Sequence, residues 1–237
     1  MEREETGGYE GTGFFAVLEE LRRTILVILL VVFAFSVLSF LFSTELLRLL
    51  LRLLGEKVVS YAPQEALIAT LKLSLYAGFT LSFPVASFLL LRYLVSKISP
   101  GRERGVPLFF LISLLLFAAG VYLCYRVLLP AGIKFLLSFS TERLKSGISV
   151  GKFVDFCSFF LIASGIAHQA PLVSYILARA GILRPEAFRG KTRYAILVCF
   201  ILAAVLTPTP DVYNMTLMAV PLLVLYFASF VVVKLAG

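Results

Sequence analysis

Apolar residues occur in long uninterrupted runs. Thr24–Ser43, Gly105–Tyr125, Phe156–Ala178, Tyr194–Pro210 and Val212–Val233 contain no charged side chain, and the run from Glu65 to Leu91 is broken only by Lys72. A helix needs roughly 20 apolar residues to cross a bilayer, so the pattern predicts an all-α, polytopic membrane protein with six transmembrane helices. The fifth is short: from Tyr194 to Leu206 it reaches only about 20 Å at 1.5 Å per residue, because Thr207-Pro208-Thr209-Pro210 interrupts it. A hydrocarbon core is about 30 Å thick, so the bilayer must thin there or a partner helix must cover the mismatch.

Residues 1–13 are acidic and glycine-rich and are expected to form a flexible cytoplasmic tail, with helix from Phe14 onward. After Ser43 comes E-L-L-R-L-L-L-R-L-L-G, in which Arg48 and Arg52 share a face. It is either a helix lying on the membrane or the continued end of the first span. Y-A-P-Q-E (Tyr61–Glu65) turns the chain back, with Pro63 early in a new helix. Loops 44–64 and 129–150 are assigned to the outer face, and 96–104 and 181–193 to the cytoplasmic face, all within one domain spanning 1–237. Pro171 should kink the fourth span and free a backbone carbonyl.

Composition agrees with the pattern. The chain is 60% hydrophobic and 15% charged, with a mean hydropathy of +0.97, against about 45–50% apolar and 25% charged in soluble domains. The net charge of +8 does not imply nucleic acid, because the basic residues flank the spans as headgroup anchors do. Their bias toward the side of the amino terminus places both termini in the cytoplasm. Arg22-Arg23 before an apolar run resembles an export signal, but the run is too long and lacks a small-x-small cleavage site. Cys124, Cys157 and Cys199 lie singly in apolar runs without metal spacing and read as packing residues. No cofactor or metal is expected.

Several polar groups invite a functional reading. Glu19 and Glu20, in L-E-E-L-R-R-T (Leu18–Thr24), sit where the first span meets the surface. They either offset the helix dipole, pair weakly with Arg22 or Arg23, or receive a cationic ligand, for which guanidinium is the best fit. Glu103, between Arg102 and Arg104, is either a solvated loop charge or part of the same site. Glu65 and Lys72 are two turns apart on one face, and Lys72 must snorkel or pair. His168 and Gln169 fall near the middle of the fourth span. Ser164 and His168 are four apart, so a hydroxyl–imidazole pair is conceivable. However, the rhomboid-protease motif would need glycine at Ile162 and a histidine from another helix. His168 is expected to satisfy a carbonyl freed by Pro171 or to line a wet groove. Asp211 can cap the sixth helix.

The order of these motifs resembles the TatC family, the multispanning receptor of the twin-arginine protein translocase, from about Leu18 to Lys234. Leu18, Glu20, Leu21 and Arg22 are similar to the family's L-x-E-L-R. Ala62–Lys72 resembles its S-P-T-E-A-F…K segment, Leu81–Val85 its L-S-x-P-V, and Glu103-Arg104 its loop E-R. Ser164–Pro171 looks like F-G-x-x-F-E-x-P, and Leu206–Asp211 like L-T-P-x-P-D.

The resemblance implies that Glu20 and Glu103 bind the paired arginines of signal peptides on folded cargo, supported by Leu18, Leu21, Arg22 and Arg104. It implies a concave groove and partner-helix contacts involving Glu65, Lys72, Pro84, His168, Gln169, Pro171, Thr207, Asp211 and Met215. Partners would be single-span TatA- and TatB-like proteins, with self-association in a larger complex in the inner membrane of a prokaryote. Energy would come from the proton-motive force. Gln169 stands where the family has an ionisable Glu, His168 where Phe is usual, and Asn214-Met215 where Ser-Gln is usual. A small-molecule secondary transporter is the competing class, but such folds show internal repeats with paired broken helices, and no such repeat is evident. An intramembrane enzyme lacks a catalytic constellation.

Overall fold

The computed structural model describes residues 8–54, 63–98, 106–138, 149–188, 190–206 and 212–236, and its regular elements are helices. These are α1 (Gly8–Leu41), α2 (Ser43–Leu51), α3 (Pro63–Ile98), α4 (Val106–Leu123), a π-helical turn (Cys124–Leu128), α5 (Leu129–Ser138), α6 (Val150–Ala167), α7 (Ala170–Arg179), a 3-10 turn (Pro185–Ala187), α8 (Thr192–Leu206) and α9 (Val212–Ala236).

Five helical segments are long and apolar enough to cross a membrane: Leu18–Leu41, Gln64–Tyr93, Pro107–Phe135, Val150–Arg179 and Met215–Leu235. Where the fifth span was expected there is a shorter apolar helix, Thr192–Val205, below that length. α8 has 15 residues, about 22 Å at 1.5 Å per residue, so the shortness anticipated from the prolines is present.

Helix boundaries correct the expected ones in two places and decide between alternatives in a third. α1 reaches back to Gly8, so residues 8–13 are helical rather than part of a loose tail. After Phe42 alone comes α2, so of the two helical alternatives for this stretch the structure has a separate helix, not the continued end of α1. The third span does not stop at Leu129-Pro130. Pro130 has no N–H to give to a carbonyl one turn back, and the chain accommodates it with the preceding π-helical turn, in which the Leu129 N–H bonds to Cys124 O. α5 then continues to Ser138, inside the loop assigned to 129–150. As anticipated, Pro63 opens α3, and the Pro171 kink is the break between α6 and α7 at His168-Gln169.

Cross-helix contacts fix the directions. Phe83 stacks on Phe117 at 4.6 Å, Ser87 meets Ser113 at 3.1 Å and Phe88 meets Phe110 at 5.0 Å, so α3 and α4 run antiparallel. Ser164 Oγ donates to Gly120 O at 2.9 Å and Ser113 meets Gln169, which makes α4 and α6 antiparallel as well. Glu65 reaches Ser149 and Lys72 reaches Asp155, so α3 and α6 are parallel. Ser36 of α1 lies against Gly78, whereas Leu50 and Leu54 join the core shared by Leu73 and Ala69. Residues later in α1–α2 therefore meet residues earlier in α3, the antiparallel order.

Phe109–Tyr175 and Phe188–Phe230 contacts tie α4, α7 and α9 at the end where α1 begins, and Phe135–Tyr213 ties α5 to α9 at the other. One end thus carries Arg22, Arg23, Arg92, Arg179, Arg193 and Lys234. The other carries Arg48, Arg52, Arg126, Lys134 and Lys152. This is the partition of charges expected from the spans.

Packing depends on small residues. Within a bilayer no hydrophobic drive brings helices together, so close backbone approach and interhelical hydrogen bonds must do so. A Cβ at Gly78 would lie 2.4 Å from Ser36 Cα, and one at Gly120 would lie 2.7 Å from the His168 ring. The buried core, including Leu73, Cys124, Leu129, Val154, Cys157 and Ala203, gathers α2, α3, the π-helical turn, α5, α6, α8 and α9. α1 stays outside it and exposes Leu26, Leu30, Phe33, Val37 and Leu41.

Candidate functional site

The first group of interest lies at the start of the first span. Glu19, Glu20, Arg22, Arg23 and Leu18 are exposed, and Leu21 is half-buried. Glu20 is 16 residues before Ser36, about 24 Å along α1 at 1.5 Å per residue. Moving the same distance along antiparallel α3 from Gly78 leads to its last turns, close to Ile98. Ile98 and Val106 bracket Glu103 and Arg104 in the chain, so Glu20 belongs to the end of the bundle from which that loop departs. Glu103 and Arg104 themselves lie outside the described residues, as do Thr207 and Asp211.

A second feature is an apolar groove of about 540 Å³ between α2, α3, α4 and α6. Leu49, Tyr76, Pro84, Phe117, Tyr122 and Leu161 are among its walls. Tyr125, in the π-helical turn, donates to Leu49 O at 3.1 Å and so holds α2 across the groove.

Gln169 is buried behind this wall and joined to it by hydrogen bonds. Its Nε2 donates to Ser113 O at 2.8 Å, and its Oε1 accepts from Ser113 Oγ at 3.2 Å. Ser87 Oγ lies 3.1 Å from Ser113 Oγ and donates to Pro84 O at 2.8 Å. Ser113 has one hydroxyl proton, so when Gln169 receives it Ser87 must share its own between Ser113 and Pro84. Ser113 thus satisfies both the donor and the acceptor of the buried amide, a demand the low dielectric makes expensive to leave unmet.

His168 corrects one expectation. Its Nδ1 lies 2.8 Å from Ser164 O, which already accepts the His168 N–H. The carbonyl freed by Pro171 is that of Ala167, one turn before the proline, so His168 serves a different oxygen. Nor do Ser164 and His168 form a hydroxyl–imidazole pair, because Ser164 Oγ turns to Gly120 O across the helix interface. Pro171 is buried in the first turn of α7.

Lys72 pairs instead of snorkelling. Its Nζ is 2.7 Å from Asp155 Oδ2, and Tyr76 OH donates to Asp155 Oδ1 at 3.2 Å. Glu65, expected to share a face with Lys72, turns to the start of α6, accepting from Ser149 Oγ and from the Gly151 N–H at 3.3 Å. A carboxylate suits that position because it faces the positive end of a helix dipole. Met215 is half-buried against the core.

Comparison with known proteins decides what these features belong to. The profile of the family described as Sec-independent protein translocase protein (TatC) matches residues 16–221. The chain belongs to the TatC family. It is 31% identical to the TatC protein of Carboxydothermus hydrogenoformans over 223 residues, covering 93% of this chain and 92% of that one. The TatC protein of Aquifex aeolicus is 33% identical over 182 residues, 76% of this chain and 75% of that one. A crystal structure described as the twin-arginine translocase receptor TatC in DDM superposes with a TM-score of 0.81 at 28% identity, covering 93% of this chain and 99% of that chain. The chain is thus a membrane protein of a protein-transport family, and its relatives are named for translocation rather than for catalysis.

Within this TatC chain, sequence reasoning missed Asp155, Tyr76, Ser87, Ser113 and Ser149. Asp155 left a signal: it is a lone acid directly before a charge-free run, on a span that must neighbour a lysine-bearing one. The serines left none, because a serine in an apolar helix usually bonds its own backbone, as Ser74 does to Thr70 O.

Proposed function

We propose that this chain is the core receptor of the twin-arginine translocase, with Glu20 and Glu103 receiving the Arg-Arg motif of signal peptides on folded cargo. Six spans, α8 included, would place both termini in the cytoplasm of a prokaryote, in its inner membrane. Assembly with TatA- and TatB-like single-span subunits and export driven by the proton-motive force complete the reading. Leu18, Leu21, Arg22 and Arg104 would frame the acids. The apolar groove by Pro84 is the surface for the signal's apolar segment.

The observation that carries the reading is the placement of Glu20: an exposed acid on a membrane helix, at the end of the bundle where α3 and α4 bracket Glu103. Carboxylates accept guanidinium through paired, charge-assisted bonds, and an ammonium cannot reproduce the fork. A hydrogen bond to a charged group contributes about 1.5–3 kcal/mol. Glu20→Ala should therefore weaken photo-cross-linking to a twin-arginine peptide by roughly tenfold or more, with insertion and unfolding midpoint unchanged. The parent should discriminate against a twin-lysine peptide. Equal labelling by both peptides, or unchanged labelling of Glu20→Ala, refutes the assignment.

A further inference from the structure

The connection between α7 and α8 concentrates cations on a well-formed frame. Residues 179–193 contain Arg179, Arg184, Arg189, Lys191 and Arg193 against one acid, Glu186. Gly181, at φ 74°, ends α7 in a Schellman arrangement: its N–H bonds to Ala178 O at 2.9 Å and that of Ile182 to Leu177 O at 3.0 Å. The 3-10 turn follows, and Phe188 sets its ring 5.5 Å from those of both Tyr226 and Phe230 on α9. The segment is thereby fastened to α9 one turn from Lys234.

Its cations are available. Arg179, Arg184, Lys191, Arg193 and Lys234 are exposed, and none forms an ion pair with a carboxylate among the described residues. Arg48 and Lys72 do, each at 2.7 Å. Arg193 lies 4.9 Å from the centre of the Tyr194 ring and donates to its hydroxyl, which orients the guanidinium without neutralising it.

Two further facts identify the counter-charge. Apolar side chains stand exposed among the cations: Ile182 at 70%, Tyr194 at 55% and Leu235 at 82%. A purely aqueous acidic partner gives those groups no environment, whereas a bilayer interface solvates both kinds. α8 is also about 8 Å shorter than a hydrocarbon core of about 30 Å, and thinning of the bilayer to match it brings phosphates toward Lys191 and Arg193 at its amino end. The amino end of α8 adds positive potential there.

We propose that this connection binds the phosphate of anionic glycerophospholipids, with Arg184, Lys191 and Arg193 as the principal donors and Lys234 beside them. The inference needs only a bilayer, and so stands apart from signal-peptide recognition. Juxtamembrane cations attract anionic headgroups by an amount equivalent to roughly a fivefold preference each.

The test uses the full chain in mixed micelles, with native mass spectrometry counting retained phosphatidylglycerol against phosphatidylcholine at equal supply. The parent should retain phosphatidylglycerol preferentially, with the preference falling as salt rises. The triple variant Arg184→Gln, Lys191→Gln, Arg193→Gln should lose most of it, and Lys191→Gln alone a smaller share. A control triple at the other end, Arg48→Gln, Arg52→Gln, Arg126→Gln, should keep it. No preference in the parent, equal loss in the control, displacement by millimolar inorganic phosphate, or displacement by an acidic peptide at fixed lipid would each overturn the assignment.

Discussion

Gly78→Ala isolates the contact that sets the position of α1. The added Cβ would lie 2.2 Å from Ser36 Oγ, 2.4 Å from its Cα and 2.5 Å from its backbone nitrogen. Carbon atoms rest at about 3.5–4.0 Å, so the two helices must part by about 1 Å or more at their crossing. Two of the three obstructing atoms are backbone, and no side-chain rotation removes them. Forced overpacking of this kind costs about 1–3 kcal/mol. In lipid the loss is not offset by hydrophobic attraction elsewhere along α1, whose outer face meets acyl chains equally well in either position.

The assay is unfolding in detergent, read by a thiol-reactive dye, because Cys124, Cys157 and Cys199 are free and buried. Gly78→Ala should lower the midpoint. Adding Ser36→Gly removes only the 2.2 Å obstruction and should restore little of it. A midpoint equal to the parent's would show that the helices are not in backbone contact. Full rescue by Ser36→Gly would show that the hydroxyl alone sets their spacing.

Two other perturbations probe the polar groups inside the bundle. Lys72→Met should destabilise the fold by leaving Asp155 with Tyr76 alone, and Lys72→Met with Asp155→Leu should recover part of the loss. A double variant as unstable as the sum of the two singles would exclude the pair as the cause. Gln169→Leu should cost about 1–3 kcal/mol by removing both bonds to Ser113 and leaving its hydroxyl with Ser87 alone. Gln169→Glu should keep the fold, because a protonated carboxyl can donate to the one and accept from the other, with a midpoint that falls as pH rises; a pH-independent midpoint refutes that account.

Five of the spans, the breaks at the described prolines and the end to which each described cation belongs were legible because each follows from local chemistry. Twenty apolar residues must cross, a proline must interrupt a hydrogen-bond ladder, and charges must stay near the ends. The helix-start acid Glu65 was noticed, but what it meets was not. Spacing along one helix shows that Glu65 and Lys72 share a face; it does not show that each faces α6 at a different height, where Ser149 meets one and Asp155 the other. The passage of helix through Pro130 was missed for a similar reason. A proline removes one donor, and whether the chain breaks or widens into a π turn depends on what Tyr125 and Cys124 contact across the interface. Glycine contacts at Gly78 and Gly120 were invisible, since a glycine in an apolar run gives no sign of what approaches it.

These contacts divide the molecule mechanically. α4 and α6 are joined by Ser113–Gln169 and Ser164–Gly120, and α6 to α3 by Asp155–Lys72. Each bond pairs groups that lipid cannot solvate, so separating these helices exposes unmet polar atoms and carries a steep penalty. At the Ser36–Gly78 crossing α1 is attached differently: the approach is backbone to backbone, and the Ser36 hydroxyl turns to Val32 of its own helix. That crossing rests on van der Waals fit rather than on a hydrogen bond between the two helices, so a single added methyl at Gly78 is the perturbation that tests it.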